Sequence, residues 1–578
     1  MEFFNKRTNI TYYFLAFSVL LFLIGSLIKL NTPSAEWDYL YIDTAQNWAK
    51  GINKTPHFEH PPLYPLFLAI LFKFFESSIV IARLGNTFCA FLTAFILFRL
   101  TSKLFSRDSA LWTIIFYFLG PICIQGISIM DVADTSILPL AFVFTANATV
   151  NNTLRPGLRN TIILGLGIGF CLWVKVTSSL ALIVGLLAGN LAYLIFERKT
   201  KYYKIWLLNI TSMFIGLIFF LLTWVCISLF LWGSDACLAV LRSPWIAFYS
   251  KLENLNYFSK LIYVGYYTFG ISIWFSPYFL IICLNSSWSL VKNTQRSDSV
   301  QDNIKFLFIG VIIFYFIGHL VIGGTNYGFP RYHAAIFPLI CLLVGVQVSK
   351  FTTELNNRTF ILLNLNLLFL ILFFAFFSND PLFFLNFRIK EMLLSNYDYE
   401  TIIKHFLIIF VPLYGLPIIF GILTISFLNI NHRGDAIKIC LFLGCLATIV
   451  SLDIQQILAP YRTSNQYGAK GKIELIQKVR NHIRNHDYVF ATPEFIYELS
   501  DKGVPSIGFG EWESNERSYQ FITEKQPSAI IDGLTVSTYE HLKWLLHKDT
   551  QAFLCKYYTF ERIGTYFLWL RKIKTNHH

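Results

Sequence analysis

An α-helical membrane protein of about thirteen spans, followed by a small C-terminal α/β domain, is the fold class this sequence predicts. Three observations lead there. The 578 residues are 55% hydrophobic and 17% aromatic but only 14% charged, whereas a soluble globular protein carries roughly 25% charged residues. Apolar runs of about 20 residues recur along the chain, the length a helix needs to cross about 30 Å of hydrocarbon. Lys and Arg gather in every second connection between those runs, as cytoplasmic loops do. The same composition excludes a disordered chain, a disulfide scaffold and a collagen-like repeat.

The runs lie near residues 10–30, 78–100, 109–126, 134–150, 160–174, 177–196, 205–232, 260–284, 304–323, 332–349, 359–377, 403–427 and 436–457. The first, Ile10 to Leu30, is long enough to span and lacks a small-residue cleavage site, so it reads as an uncleaved anchor. With the N-terminus cytoplasmic, Lys6, Arg7, Lys103, Arg107, Arg155, Arg159, Arg198 to Lys204, Lys292, Arg296, Lys350, Arg358, Arg433 and Lys438 all fall on one side. Most of the net charge of +13 is therefore a topology signal and not a nucleic-acid surface. Eight of the ten cysteines lie in apolar runs, where Cys acts as a small hydrophobe, and no CxxC site occurs. Of the glycosylation sequons, that of Asn53 alone falls in an outer loop.

An odd number of spans puts everything after about residue 458 outside. That tail alternates helix-like stretches (472–485, 539–547) with short apolar strands (488–491, 528–531) and closes on a run from Tyr557 to Leu570, broken at Gly564 like a hairpin. The domain division is therefore 1–457, a membrane domain whose first outer loop (31–77) holds interfacial helices, and 458–578, an extracytoplasmic α/β domain.

Chemistry concentrates on the outer side. In the first outer loop Trp37, Leu40, Tyr41, Thr44 and Trp48 share one helical face, an aromatic stripe suited to the headgroup level, with Glu36 and Asp38 at the helix start. Acidic residues there also complement the helix dipole, which alone would explain them. Glu59-His60-Pro61-Pro62-Leu63-Tyr64-Pro65 follows; three prolines in five residues forbid helix and give Glu59 and His60 defined directions. Asp131 and Asp134 open a helix in the second outer loop, where N-capping would account for either singly. Lys175 interrupts the apolar stretch from Thr161 to Phe196, which is expensive unless the amine snorkels or meets a partner. Arg331 begins a span in Pro330-Arg331-Tyr332, where one Arg is ordinarily an anchor. Yet the charge rule, applied without reference to chemistry, collects Asp38, His60, Asp134, Lys175 and Arg331 on one face. Carboxylates and cations together there can hold an anionic lipid headgroup and activate a hydroxyl.

The pieces Trp37-Asp38-Tyr39-Leu40-Tyr41, His60-Pro61-Pro62-Leu63-Tyr64-Pro65, Asp134, Lys175 and Pro330-Arg331-Tyr332 resemble the lipid-carrier-dependent GT-C glycosyltransferases of the protein mannosyltransferase and aminoarabinose transferase type. The resemblance is strongest from Trp37 to about Lys175. It implies a polyprenyl-phosphate sugar donor, Asp38 as catalytic base with Asp134 as second carboxylate, and His60, Lys175 and Arg331 on the donor phosphate. Glu36, Glu59 and Tyr332 would support them. Aminoarabinose transferases carry Lys at the position of His60; a His needs a raised pKa to be cationic near neutral pH, so Lys175 and Arg331 would share the task.

The expected function is then an inverting membrane glycosyltransferase acting on a hydroxyl of a lipid, glycan or protein acceptor, in the synthesis of a surface glycan or glycoprotein. A lipid or glycan transporter and a polyprenyl-linked glycan polymerase are the alternatives. No metal cofactor is expected from a His and carboxylate cluster, although Asp38 and Asp134 could hold a divalent ion. The expected partners are the lipid-linked donor, membrane lipids and the acceptor, with no nucleic acid. In the tail, Trp512 is a candidate stacking residue.

Overall fold

The computed structural model describes residues 2–30, 38–55, 61–120, 123, 136–197, 200–242, 276–294, 300–322, 333–354, 365–372, 399–427, 433–458, 471–491, 493–499, 502–504, 515–533, 548–564 and 566–572. Its main helices are α1 (Glu2–Leu30), α2 (Asp38–Ala49), α3 (Leu63–Phe74), α4 (Ile79–Leu104), α5 (Arg107–Phe118), α6 (Ile137–Leu154), α7 (Leu158–Val174), α8 (Val176–Glu197) and α9 (Thr200–Leu231). They continue with α10 (Pro277–Thr294), α11 (Val300–Ile322), α12 (Phe337–Glu354), α13 (Tyr399–Phe427) and α14 (Arg433–Leu458). Among the described residues, Thr11–Leu30, Ile79–Leu104 and Tyr203–Leu231 are long and apolar enough to cross a membrane, and shorter apolar helices accompany them.

Local chemistry sets the helix ends. Ser78 and Ser106 cap α4 and α5 by accepting from the backbone amides of Ile81 and Ser109. Gly233, at φ +86°, takes the left-handed conformation that closes α9 and sends its amide back to the Ser228 carbonyl at 2.9 Å. Of the apolar run at 260–284, residues 260–275 lie outside the described residues, and the helix that starts at Pro277 runs on past the end of the run to Thr294. Pro277 is a natural first helical residue, and the helix runs on into polar sequence, where the Ser287 hydroxyl bonds back to the Cys283 carbonyl at 2.8 Å.

Two devices hold the helices together without a hydrophobic drive, which lipid does not supply. The first is close approach of small residues. Ala181, Gly185 and Gly189 recur every fourth residue on α8, and a Cβ on Gly185 would stand 2.6 Å from the Val311 carbonyl oxygen of α11. The second is a chain of buried amides. Thr161 Oγ1 donates to Asn152 Oδ1 (3.2 Å), Asn152 Nδ2 to Asn209 Oδ1 (2.8 Å), and Asn209 Nδ2 to Asn190 Oδ1 (2.7 Å). The chain ends on the Leu186 carbonyl at 2.7 Å, so α6, α7, α8 and α9 share one polar seam.

Toward the C-terminus the chain forms a four-stranded sheet in the order β1-β2-β4-β3, from β1 (Val489–Phe490), β2 (Ala529–Gly533), β3 (Tyr558–Ile563) and β4 (Tyr566–Arg571). β1 and β2 are parallel, while β4 runs antiparallel to both its neighbours. Helices α15 (Lys472–His482) and α16 (Pro493–Glu498) cover one face, packing Leu475, Val479 and Phe495 on Ile531, Ile563 and Leu568. Helices α17 (Asn515–Lys525) and α18 (Lys548–Tyr557) cover part of the other, with Ile522 and Leu554 against Ile530 and Tyr558. The helix-like stretch 539–547 and Trp512 lie outside the described residues. Helix α16 touches α2, which joins this unit to the bundle.

Substituting Gly185→Val drives a side chain into the backbone of α11 and is expected to cost about 1–3 kcal/mol. A clearly lowered thermal midpoint of the detergent-purified protein checks this; an unchanged midpoint would show that α8 and α11 can separate freely.

Candidate functional site

The site is best built outward from α4, because the first loop is fastened to it at both ends. Arg83 lies one turn into α4, fully buried, and its Nη1 donates to the carbonyls of Lys29 (2.7 Å) and Leu30 (2.9 Å). These are the last residues of α1, whose terminal carbonyls have no partner within their own helix. One turn further along α4, Asn86 Oδ1 accepts from the Tyr64 hydroxyl at 2.9 Å. Tyr64 is the second residue of α3, which starts directly after the buried Pro61 and Pro62 and takes in Pro65. Helix therefore begins inside the segment whose prolines were expected to forbid it, a proline being tolerated in the first turn. The Tyr64 ring meets Tyr41 of α2 edge-on at 5.4 Å.

Helix α2 begins at Asp38. Tyr41, Ile42, Thr44 and Ala45 are buried and Trp48 is half-buried, a wider arc than the aromatic stripe expected from sequence, because α3 covers one side of it. Asp43, the next carboxylate, is engaged by Lys54 and by Asn47 Nδ2.

From α2 a series of tryptophans leads to Lys175. Trp48 stacks on Trp232 at 5.6 Å and 12°, Trp232 lies 6.2 Å from Trp224, and Trp224 meets Trp173 edge-on at 5.8 Å. Asn53 fixes the near end, accepting from Trp232 Nε1 (2.9 Å) and donating to the Leu231 carbonyl (3.0 Å). Trp173 Nε1 fixes the far end on Thr223 Oγ1 at 2.9 Å. Two residues on, Lys175 is the extended residue (φ −158°, ψ +119°) between α7 and α8, and it is only 3% exposed. Its amide donates to the Cys171 carbonyl (3.0 Å), and its own carbonyl accepts from the Ser179 amide (3.2 Å). The C-terminal end of α7 thus carries a buried Lys, the charge its dipole favours.

Asp38 and Lys175 are members of the expected set that fall on described backbone. Glu36, Glu59, His60, Asp134, Arg331 and Tyr332 lie outside the described residues. Sequence reasoning missed Arg83, although it is the only charge between Ile79 and Phe98 and could have been flagged on the same ground as Lys175. It also missed Asp453 of α14, which is fully buried and, among the described residues, has no hydrogen-bond partner on either carboxylate oxygen. Among the described residues no group of three His, Cys, Asp or Glu side chains could hold a metal ion.

Residues 59–224 match the family model described as dolichyl-phosphate-mannose-protein mannosyltransferase. The crystal structure of ArnT from Cupriavidus metallidurans bound to undecaprenyl phosphate superposes with a TM-score of 0.57 at 12% identity, covering 98% of this chain and 99% of that one. The apo structure of the same enzyme gives 0.51 at 11% identity, over 97% and 98%. No curated protein matches the chain by sequence. The chain therefore shares its fold with ArnT. The resemblance to lipid-carrier-dependent GT-C glycosyltransferases, read from the sequence, is borne out by the family match and the shared fold together.

Replacing Arg83 by Met leaves the α1 carbonyls without their donor in a buried setting, a loss of about 1–3 kcal/mol that a lowered thermal midpoint reports. Asp453→Leu works in the opposite sense, since it removes a buried carboxylate that has no partner among the described residues. Its midpoint is expected to rise; a fall would mean that Asp453 meets a partner in the membrane.

Proposed function

We propose that the chain is an inverting membrane glycosyltransferase that moves a sugar from a polyprenyl-phosphate donor to a hydroxyl of a lipid, glycan or protein acceptor. What supports the reading is that α2, which begins at Asp38, packs on α3 behind the Pro61-Pro62 corner and is tied through Trp48, Trp232, Trp224 and Trp173 to the helix end that carries the buried Lys175. Its chain-long likeness to ArnT, which was crystallised with undecaprenyl phosphate, supports the class of donor.

On this reading Asp38 takes the proton from the acceptor hydroxyl as the oxygen attacks the anomeric carbon, with Asp134 assisting. The bond from that carbon to the phosphate oxygen breaks, its electron pair leaving with the lipid phosphate. Lys175, His60 and Arg331 neutralise the charge that develops there, and in a dry site such pairing is strong. Glu36, Glu59 and Tyr332 orient these groups. Attack from the side opposite the phosphate inverts the anomeric centre. Residues 1–457, with about thirteen spans and a cytoplasmic N-terminus, form the catalytic membrane domain, and 458–578 form an outer α/β domain.

Asp38→Asn is expected to abolish transfer from a polyprenyl-phosphate sugar while leaving expression and lipid binding intact; normal transfer by that variant defeats the assignment. Lys175→Gln should raise the KM for donor and lower kcat together, by about tenfold or more for a lost charge-assisted contact. Flux of a lipid-linked sugar across proteoliposomes with no covalent product would instead mark a transporter.

A further inference from the structure

Helix α3 lies on α4 through an apolar face that has a directional contact set into it. At Gly85 of α4 a Cβ would stand 2.6 Å from Leu71 Cδ1 and 3.2 Å from Phe67 Cε1, so side chains of α3 fill the space that a side chain on α4 would need. Apolar contact of this kind sets the separation of two helices but carries no direction. The next residue, Asn86, supplies direction: its Oδ1 accepts from the Tyr64 hydroxyl at 2.9 Å, with Tyr64 fully buried and Asn86 nearly so.

Stability alone does not account for this pair. Asn86 Nδ2 is buried and, among the described residues, has no hydrogen-bond partner. A buried amide left half satisfied costs free energy, and an apolar pair of the same shape would not carry that cost. What the pair adds is the place of α3. Tyr64 also meets Tyr41 of α2 edge-on, and α2 packs on α3. Asp38 stands three residues before Tyr41, the spacing that sets two positions on one side of a helix. From α4 to the start of α2 the line therefore runs through Asn86, Tyr64 and Tyr41, with a hydrogen bond at one step and ring contact at the next.

We propose that Tyr64 and Asn86 are positioning residues for the reaction. Their hydrogen bond fixes the first turn of α3, and through Tyr41 it fixes the placing of α2 and of Asp38, the residue with which α2 begins. The inference rests on the reading of Asp38 as the base that takes the acceptor's proton. Proton removal and attack both need the reacting groups closely placed, and a misplacement of about 1 Å can cost about a hundredfold in rate. A buried pair that sacrifices stability for direction suits a loop with that task.

The test compares the full-length protein in phosphatidylcholine nanodiscs with Tyr64→Phe, Asn86→Leu and the two together. The double variant replaces both partners by apolar groups of similar shape, so its thermal midpoint is expected to equal or exceed that of the wild type. Its kcat for transfer from a polyprenyl-phosphate sugar is nevertheless expected to fall about tenfold or more, with the donor KM within about threefold because Lys175 on α7 is untouched. Hydrogen–deuterium exchange across residues 38–49 should rise about threefold or more in the double variant and stay unchanged across α6. Wild-type kcat in the double variant overturns the proposal, and so does unchanged exchange across α2. A kcat loss that accompanies a fallen midpoint overturns it as well, being what a purely structural pair gives. Normal transfer by Asp38→Asn defeats the base assignment instead; exchange across α2 is read without activity, so the two failures are told apart.

Discussion

A helix that ends near a membrane leaves carbonyls that water cannot reach, and the fold of the first loop depends on how that problem is solved for α1. Arg83 solves it by reaching from α4 to the carbonyls of Lys29 and Leu30. Three residues along the same helix, Asn86 holds Tyr64. Positions three apart lie on one helical face, so a single strip of α4 grips both the exit from α1 and the entry to α3. The loop between them, which carries α2 and its leading Asp38, is thereby anchored at both ends by one rigid element. A site on such a loop gains the positional precision usually reserved for sites on helices.

The support extends to α7, α8 and α9 by two kinds of contact at opposite ends of those helices. Near Lys175 the tie is aromatic, running from Trp173 through Trp224 and Trp232 to Trp48. At the far end it is polar, the seam from Thr161 through Asn152 and Asn209 to Asn190. Hydrogen bonds between membrane helices contribute only about 0.6–2 kcal/mol each. Their value here is geometric, since amides with two donors and one acceptor carbonyl fix the rotation of each helix, and rotation decides which way its other end points. The glycine contacts of α8 with α11 add close approach to that fixed orientation.

The sequence made much of this legible, and the limits have physical causes. The interruption at Lys175 was visible because a charge inside an apolar stretch is rare, and α7 and α8 part there. The hairpin turning at Gly564 (φ +60°) was visible because alternation breaks at a glycine, and β3 pairs with β4 around it. The extent of α10 was not legible, because apolarity marks where a helix can meet lipid and says nothing of where the helix stops. Nor could Arg83 be assigned, since its partners are backbone carbonyls, which leave no mark on composition. The Trp series was equally hidden: its four members lie up to 184 positions apart in sequence, between Trp48 and Trp232, and only the packing of α2 against the end of α9 joins them.

Lys175 and Asp453 show why position outweighs identity in judging a buried charge. Both interrupt apolar helical sequence, both are almost or fully inaccessible, and by composition they would rank alike. Lys175 stands where α7 ends, beside the partial negative charge of that helix's last carbonyls, and its extended backbone marks the break between α7 and α8 although its amide and carbonyl still bond to Cys171 and Ser179. Asp453 stands inside α14, where the backbone groups are already paired with one another and offer it nothing. A cation at the C-terminal end of a helix costs less to keep charged than a carboxylate inside one, which is stabilised only by whatever packs against it. The break at Lys175, more than the identity of the residue, therefore decides how well a buried charge is tolerated there.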